Sequence, residues 1–353
     1  MAAGGARRRR CAGLRGPVPQ PHRHPAAPRA ARGHRPRGYR PIAMADRPSI
    51  VLRTLRKRFG ARVGLAGVDL ALDGAQLVGV VGPDGAGKTT LLRALAGLLE
   101  VEADTAQVLG IDLRGDVRAL KAQVGYVPQA FSLPRDLSVL ENLRFTARLH
   151  RLPDDVFRRR STALLERTGL APFTARPAAA LSGGMKQKLA ISCALLPDPA
   201  LLLLDEPTAG VDVVARDEIW AILRERRDHS LILISTSYLE EVEACERLVY
   251  LDAGRVVASG TPAELRDGLA IELYRAWGAD PRAIAAAARA LPYVGEARAA
   301  GRYARIEVPR PRTPGSARVL ADLAALPARV HLAEHAALDI EATLLALARG
   351  GAA

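Results

Sequence analysis

The chain has 353 residues, of which 49% are hydrophobic and 25% charged, enough for a sizeable core in one large domain plus a smaller one. Its net charge of +14 suggests a nucleic-acid binder until the charge is located: eleven of the 51 basic residues are arginines in the first 45 positions, where no acid occurs. Without that stretch, 40 basic residues face 37 acidic ones, a net of +3, which excludes a strongly basic recognition face on the rest and leaves no specific nucleic-acid partner expected.

Residues 1–45 are rich in Arg, Pro, Ala, Gly and His and cannot bury enough apolar surface to offset the entropy of ordering them. They read as a disordered basic tail without an apolar stretch of signal-peptide length. Met44 opens MADRPSIVLRTLRKRFG, where ordered sequence is expected to begin. The three cysteines, Cys11, Cys193 and Cys245, are widely spaced and form no CxxC pair, so a disulfide framework or zinc site is not expected. Apolar runs such as LAISCALLP stop short of the ~18 residues of a membrane span. Any membrane role must come through a partner.

In chain order, residues 50–54 and 68–72 alternate as strands of a hairpin-like pair. QLVGVVG at 76–82 is a buried strand entering a glycine-rich loop, and KTTLLRALAGLL at 88–99 has helical spacing with Gly97 near its end. VGYVPQ at 124–129 is a short strand. Residues 136–180 are helical with breaks at Pro153 and Pro172, and MKQKLAISCALL at 185–196 is a helix stopped by Pro197. LLLLD at 201–205 and LILIS at 231–235 are continuous apolar strands of a sheet covered on both faces, with a helix between them. Residues 246–260 form a hairpin turning at Asp252-Ala253-Gly254. Beyond about 265–270 alanine rises, and IELYRAW, a helix at 281–291, ARAA, YARIEV, a helix at 316–326, RVHLAEH and a helix at 338–349 indicate a small α+β module.

Three segments carry chemistry. In Gly82-Pro83-Asp84-Gly85-Ala86-Gly87-Lys88-Thr89-Thr90 a strand enters a turn whose glycines let backbone N–H groups converge on phosphate oxygens, with the positive end of a helix behind them. Lys88 suits the outer phosphates and the Thr89 hydroxyl suits Mg²⁺. The GxxxxGK[ST] pattern arises by chance in about one chain of this length in a hundred. Next, the strand ending in Asp205-Glu206 puts a carboxylate at the sheet's carboxyl edge, where Asp205 suits the Mg²⁺ shell and Glu206 suits a general base for the attacking water. Between them, Leu181-Ser182-Gly183-Gly184-Met185 opens a helix and is a second phosphate-seeking terminus in one chain. One such site per nucleotide is enough in most P-loop enzymes, so the second points to another subunit's nucleotide.

LSGGMKQKL lying between GPDGAGKTT and LLLLDEPTAGVD resembles the nucleotide-binding subunit of an ABC transporter over roughly residues 50–265. The fold this implies is α/β, a P-loop NTPase of ABC type with an antiparallel β arm and a helical subdomain, plus the small C-terminal α+β module. The division expected is a tail at 1–45, an ATP-binding domain at 48–268 and an accessory module at 269–353. The resemblance implies that Phe59 stacks on adenine, that Gln129 touches Mg²⁺ and moves with a membrane partner, that Leu181–Met185 reach the partner subunit's ATP, and that Asp212 lies in the interface loop. It implies ATP and Mg²⁺ as cofactors, a second ATP-binding subunit and an integral membrane permease as partners, and a place at the cytoplasmic face of the membrane.

Two departures qualify the match. Asp84 stands where the family more often has Asn, and Ser237 stands where the family has a histidine that contacts the γ-phosphate and orients the catalytic carboxylate. Losing one such contact can cost about 10²–10³ in rate, so slow hydrolysis at this chain's own site is expected. GPDGAGKTT with the missing histidine is similar to the first ATPase half of some tandem export ATPases. The ending ALDIEATLLALARG loosely resembles the tail of drug-export ATPases without its Ser-Leu opening. The reading is an exporter subunit serving a drug, lipid or similar solute. The alternatives are a regulatory, non-hydrolysing ATP-binding subunit, an importer ATPase, and a soluble ABC protein acting on ribosomes or DNA.

Overall fold

The computed structural model describes residues 48–236 and 238–349. The expected basic tail at 1–45 and the departure at Ser237 both lie outside them. The N-terminal arm is an antiparallel sheet of β1 (Pro48–Phe59), β2 (Arg62–Asp73), β4 (Thr105–Val108) and β5 (Ile111–Asp112), in the order β2-β1-β4-β5. The two strands expected at 50–54 and 68–72 are thus 12 residues each and carry several register shifts.

The central sheet has six strands in the order β10-β9-β3-β8-β7-β6. They are β3 (Gln76–Val81), β6 (Val124–Val127), β7 (Leu201–Asp205), β8 (Leu231–Ser235), β9 (Arg247–Asp252) and β10 (Arg255–Gly260). Strands β9, β3, β8, β7 and β6 run parallel, and β10 pairs antiparallel at the edge. Every residue of β7 and β8 is buried. Leu201, Leu203, Leu231 and Leu233 enter the core shared with the arm and helix α1 (Lys88–Leu95), while Leu202, Leu204, Ile232 and Ile234 enter the core on the opposite face. The continuous apolar runs are therefore those of a sheet covered on both sides.

Helix α1 ends at Leu95, earlier than the spacing predicts, because Gly97 turns left-handed at φ 65° and the chain leaves the helix. A short α2 (Arg118–Lys121) follows, then the helical subdomain of α3 (Val139–Leu149), α4 (Asp154–Arg167) and two 3₁₀ turns. Pro153 stands at the N-cap of α4, so the proline begins this helix as well as ending the previous stretch. On the far face of the central sheet lie α5 (Gly183–Leu195), α6 (Val213–Arg226) and the short α7 (Leu239–Glu243). Among the described residues no helix is long and apolar enough to cross a membrane.

After α8 (Pro262–Asp267) the chain builds β11 (Ile271–Gly278), α9 (Pro281–Ala288), β12 (Glu296–Ala300), β13 (Tyr303–Pro309), α10 (Ser316–Ala324) and β14 (Val330–Ala336). The antiparallel order β12-β13-β11-β14 with this βαββαβ sequence is the ferredoxin-like arrangement. Tyr274, Ile306, Ile284 and Val319 fill its core beneath α9 and α10. The last helix, α11 (Ile340–Ala348), leaves that core and places Ile340, Ala346 and Leu347 with Val242, Cys245 and Leu248 on the central sheet.

Candidate functional site

The parallel strands deliver four loops to one edge of the central sheet. The glycine-rich loop follows β3, Gln129 follows β6, Asp205 and Glu206 stand at the end of β7, and Thr236 follows β8. Because β8 lies between β3 and β7, its carboxyl end stands between the strand that enters the phosphate loop and the strand that ends in the paired acids. This is the carboxyl edge at which open α/β sheets bind ligands.

The loop is shaped by close approach. A Cβ on Gly82, at φ 151°, would stand 1.9 Å from the Leu251 carbonyl oxygen, and one on Gly87, at φ 107°, would stand 2.6 Å from that of Gly64. Only glycine fits either place. Gly87 caps α1 with no side chain on its first N–H groups and no acid in the first turn, so those donors are left for an anion. Buried Lys88 extends its Nζ back over the loop and donates to the carbonyls of Gly82 at 2.7 Å and Pro83 at 3.3 Å.

Asp205 is 1% exposed, and its two oxygens differ. Oδ1 accepts from the Thr89 hydroxyl at 3.0 Å and from Ser235 Oγ at 2.8 Å. Oδ2 is buried without a hydrogen-bond partner. A buried carboxylate oxygen left unpaired beside a threonine hydroxyl fits a hard cation. Among the described residues no group of three or more His, Cys, Asp or Glu could hold a metal ion. The donor set here is instead the sparse kind that completes its shell with water and substrate phosphate.

Glu206 has φ 49°, a left-handed conformation rare for this residue type. Its N–H donates to the carbonyl oxygen of Ser235 at 3.1 Å and to its Oγ at 2.9 Å, which hold the turn. The carboxylate Oε2 accepts from Gln129 Nε2 at 2.7 Å. The structure thus brings Gln129, Glu206, Asp205, Thr89 and Lys88 to one place.

Lys88, Thr89, Gln129 and Glu206 border an open cleft of about 750 Å³ that is also lined by Asp84, Gly85, Ala86, Gly87, Thr90 and Phe59, while buried Asp205 does not line it. Phe59 is 46% exposed. A Cβ on Gly64 would lie 2.9 Å from its ring, so the glycine makes room for the ring beside Thr90. Sequence reasoning missed four lining residues, Arg62, Val63, Gly64 and Arg93. Arg93 lies four residues after Thr89 on α1, a helical spacing that could have found it. Ser235 was missed as well, though it ends a strand of the same length as the one ending in Asp205.

Leu181–Met185 and Asp212 do not line this cleft. Helix α5 begins at Gly183, two residues before its expected start, because the Ser182 hydroxyl caps it by accepting from Met185 N–H at 3.3 Å. Asp212 caps α6 by accepting from Ala215 N–H at 3.0 Å. A Cβ on Gly184 would lie 3.3 Å from Asp212 Oδ2, so the two segments form a second, separate cluster.

Strand order, phosphate loop and acid pair together define a P-loop nucleotide-binding protein of α/β class. A family profile described as ABC transporter matches residues 65–209. The chain is 44% identical over 224 residues to a probable multidrug ABC transporter ATP-binding protein, YbhF, of Escherichia coli (strain K12), covering 63% of this chain and 39% of that protein. It is 38% identical over 225 residues to the daunorubicin resistance ATP-binding protein DrrA3 of Streptomyces coeruleorubidus, covering 63% of this chain and 71% of that one. A solved ATP-binding subunit of an ABC transporter superposes with a TM-score of 0.58 at 31% identity, over 62% of this chain and 92% of the other. The chain belongs to the family of ABC transporter ATP-binding proteins, and it spans well under half the length of the YbhF relative.

Proposed function

We propose that this chain binds and hydrolyses ATP as the nucleotide-binding subunit of an exporter, driving a separate integral membrane permease from the cytoplasmic face. The observation that carries the reading is the Gln129–Glu206–Asp205–Thr89 cluster beside the glycine-rich loop. In it, loop N–H groups and Lys88 bind the phosphates, and Asp205 with the Thr89 hydroxyl holds Mg²⁺, which neutralises phosphate charge when bound. Glu206, oriented by Gln129, accepts the proton of the attacking water. Phe59 stacks on the adenine from the arm.

Leu181–Met185 and Asp212, standing apart from this cleft, serve a second ATP-binding subunit in a head-to-tail pair. The names of the relatives, a multidrug and a daunorubicin resistance protein, favour a drug or similar amphipathic solute as cargo. Ser237 in place of the family's histidine favours slow turnover at this chain's own site and a mixed dimer whose partner hydrolyses faster. That same substitution carries the second reading, a regulatory subunit that holds ATP.

The test is Mg²⁺-dependent ATP turnover by the purified chain beside Ser237→His and Glu206→Gln, with nucleotide binding measured in parallel. The expected result is binding by all three, slow wild-type turnover, a gain of about tenfold or more for Ser237→His, and none for Glu206→Gln. Wild-type turnover that histidine does not raise would remove the slow-site reading and leave a subunit able to work as a homodimer. Binding without turnover in both wild type and Ser237→His would favour the regulatory subunit.

A further inference from the structure

A second set of residues ties Thr236 and Tyr238, which follow β8, to the α6 terminus. Thr236 is 2% exposed and its hydroxyl donates to Glu241 Oε2 at 2.5 Å. The Tyr238 N–H donates to the same Thr236 hydroxyl at 3.0 Å, and the Glu241 N–H donates to the Tyr238 carbonyl at 3.2 Å. Glu241 thus fastens both residues that flank position 237. Its carboxylate is 3% exposed, and Oε1 makes no hydrogen bond.

Arg216 is the charge facing it. Arg216 Nε stands 3.9 Å from Glu241 Oε1, an ion pair too long for a hydrogen bond, and Nε is buried without a hydrogen-bond partner. The guanidinium also lies 4.4 Å from the centre of the Tyr238 ring. Arg216 sits one turn into α6, and its N–H donates to the Asp212 carbonyl at 2.9 Å. A donor and an acceptor, each unpaired and each buried, face each other across a gap that a shift of about 1 Å would turn into a charge-assisted hydrogen bond. Two such arrangements of one contact are what a coupling element requires.

We propose that Arg216 is a positioning residue that couples the interface loop ending at Asp212 to Thr236 and Tyr238 after β8, acting through Glu241 and Tyr238. This deepens the ATPase reading and rests on it. When the loop at Asp212 moves, α6 carries Arg216 toward or away from Glu241, and the backbone on either side of position 237 follows. Lysine cannot take the place of arginine, because it lacks the planar face that stacks on Tyr238 and the fork that meets the carboxylate.

The test uses the full chain and four variants: Arg216→Lys, Arg216→Ala, Glu241→Gln, and Arg216→Ala with Glu241→Gln. Arg216→Ala alone leaves a buried carboxylate without its counter-charge, which destabilises the fold; the double variant removes the charge. Amide hydrogen exchange over 236–243 and 82–90 is followed with and without Mg-ATP, together with turnover, ATP affinity and melting temperature. The expected result is that ATP slows exchange over 236–243 in wild type and not in Arg216→Lys, while 82–90 is protected equally in both. Turnover in Arg216→Lys and in the double variant falls about tenfold, with ATP affinity unchanged. An ATP response over 236–243 in Arg216→Lys equal to that of wild type overturns the coupling. So does recovery of both melting temperature and turnover in the double variant, which would make Arg216 only a counter-charge. If wild type shows no turnover, the ATPase reading fails, and the exchange response alone decides the coupling.

Discussion

Asp205 divides its labour between two oxygens, one tied to Thr89 and Ser235 and the other unpaired. Asp205→Asn keeps an acceptor for the two hydroxyls and removes the charge. The expected outcome is a folded protein whose ATP affinity with Mg²⁺ falls to its affinity in EDTA, a loss of about tenfold or more. Titration with a fluorescent ATP analogue in both buffers checks this, and Mg²⁺-enhanced binding by the variant would refute the cation assignment. The two described cysteines give a contrasting prediction. Burial pushes the thiols of Cys193 and Cys245 up to about 12, so neither is a thiolate near neutral pH. Both should resist alkylation at pH 8 in the native protein and react on unfolding, as mass mapping of the peptides would show. At this scale the sequence was legible where chemistry follows from spacing along the chain, as in residues 82–90 and in Asp205-Glu206. Ser235, Arg216 and Glu241 were not, because their roles depend on neighbours brought from other elements, such as the Asp205–Ser235 register of β7 and β8.

The C-terminal sheet shows the same limit in strands and helices. Each strand of IELYRAW, ARAA, YARIEV and RVHLAEH was legible, and so were the helices between them. The register was not, since β11 pairs with β14 over fifty residues away. That register aligns Arg298, Arg305 and Arg275 side by side across β12, β13 and β11. Like charges in adjacent strands destabilise a sheet. Here α11 offsets them, with Asp339 pairing Arg275 at 2.9 Å and Glu341 approaching Arg298 at 3.6 Å and Arg305 at 3.9 Å. Glu307 adds an ion pair to Arg305 at 3.4 Å and accepts from Arg349. Arg305 is 3% exposed, so removing one partner leaves a buried charge. Glu307→Ala is expected to cost about 3–5 kcal/mol, whereas Arg305→Met with Glu307→Leu should return to within about 1 kcal/mol of wild type. Urea unfolding of the three proteins measures this. A double variant as unstable as the single one would mean that the ion pairs, and not the packing, hold α11 on this sheet.

For the whole molecule, α11 decides whether the proposed division at 268/269 separates independent parts. Its charged end meets the C-terminal sheet through Asp339 and Glu341, while Ile340, Ala346 and Leu347 are buried with Val242, Cys245 and Leu248 of the nucleotide-binding part. The helix is C-terminal in sequence, yet its apolar side chains belong to the core of the nucleotide-binding part and only its ion pairs reach the C-terminal sheet. Fully burying a side chain such as Ile or Leu contributes about 1.5–3 kcal/mol, so Ile340 and Leu347 alone account for several kcal/mol. A native domain has only about 5–15 kcal/mol in total. A chain ending at Gly268 would lose these contacts and expose the surface beneath them, which includes Val242 of α7. The expected outcome is a melting temperature at least about 10 °C below that of the full chain, with self-association at micromolar concentration. Calorimetry and light scattering on the two proteins test it. Equal melting temperatures would mean that the nucleotide-binding part folds without α11, and the division at 268/269 would then mark two independent domains. A large drop would mean that the boundary separates sheets and not folding units, and that the ferredoxin-like module is held on the ATP-binding part by the last helix of the chain.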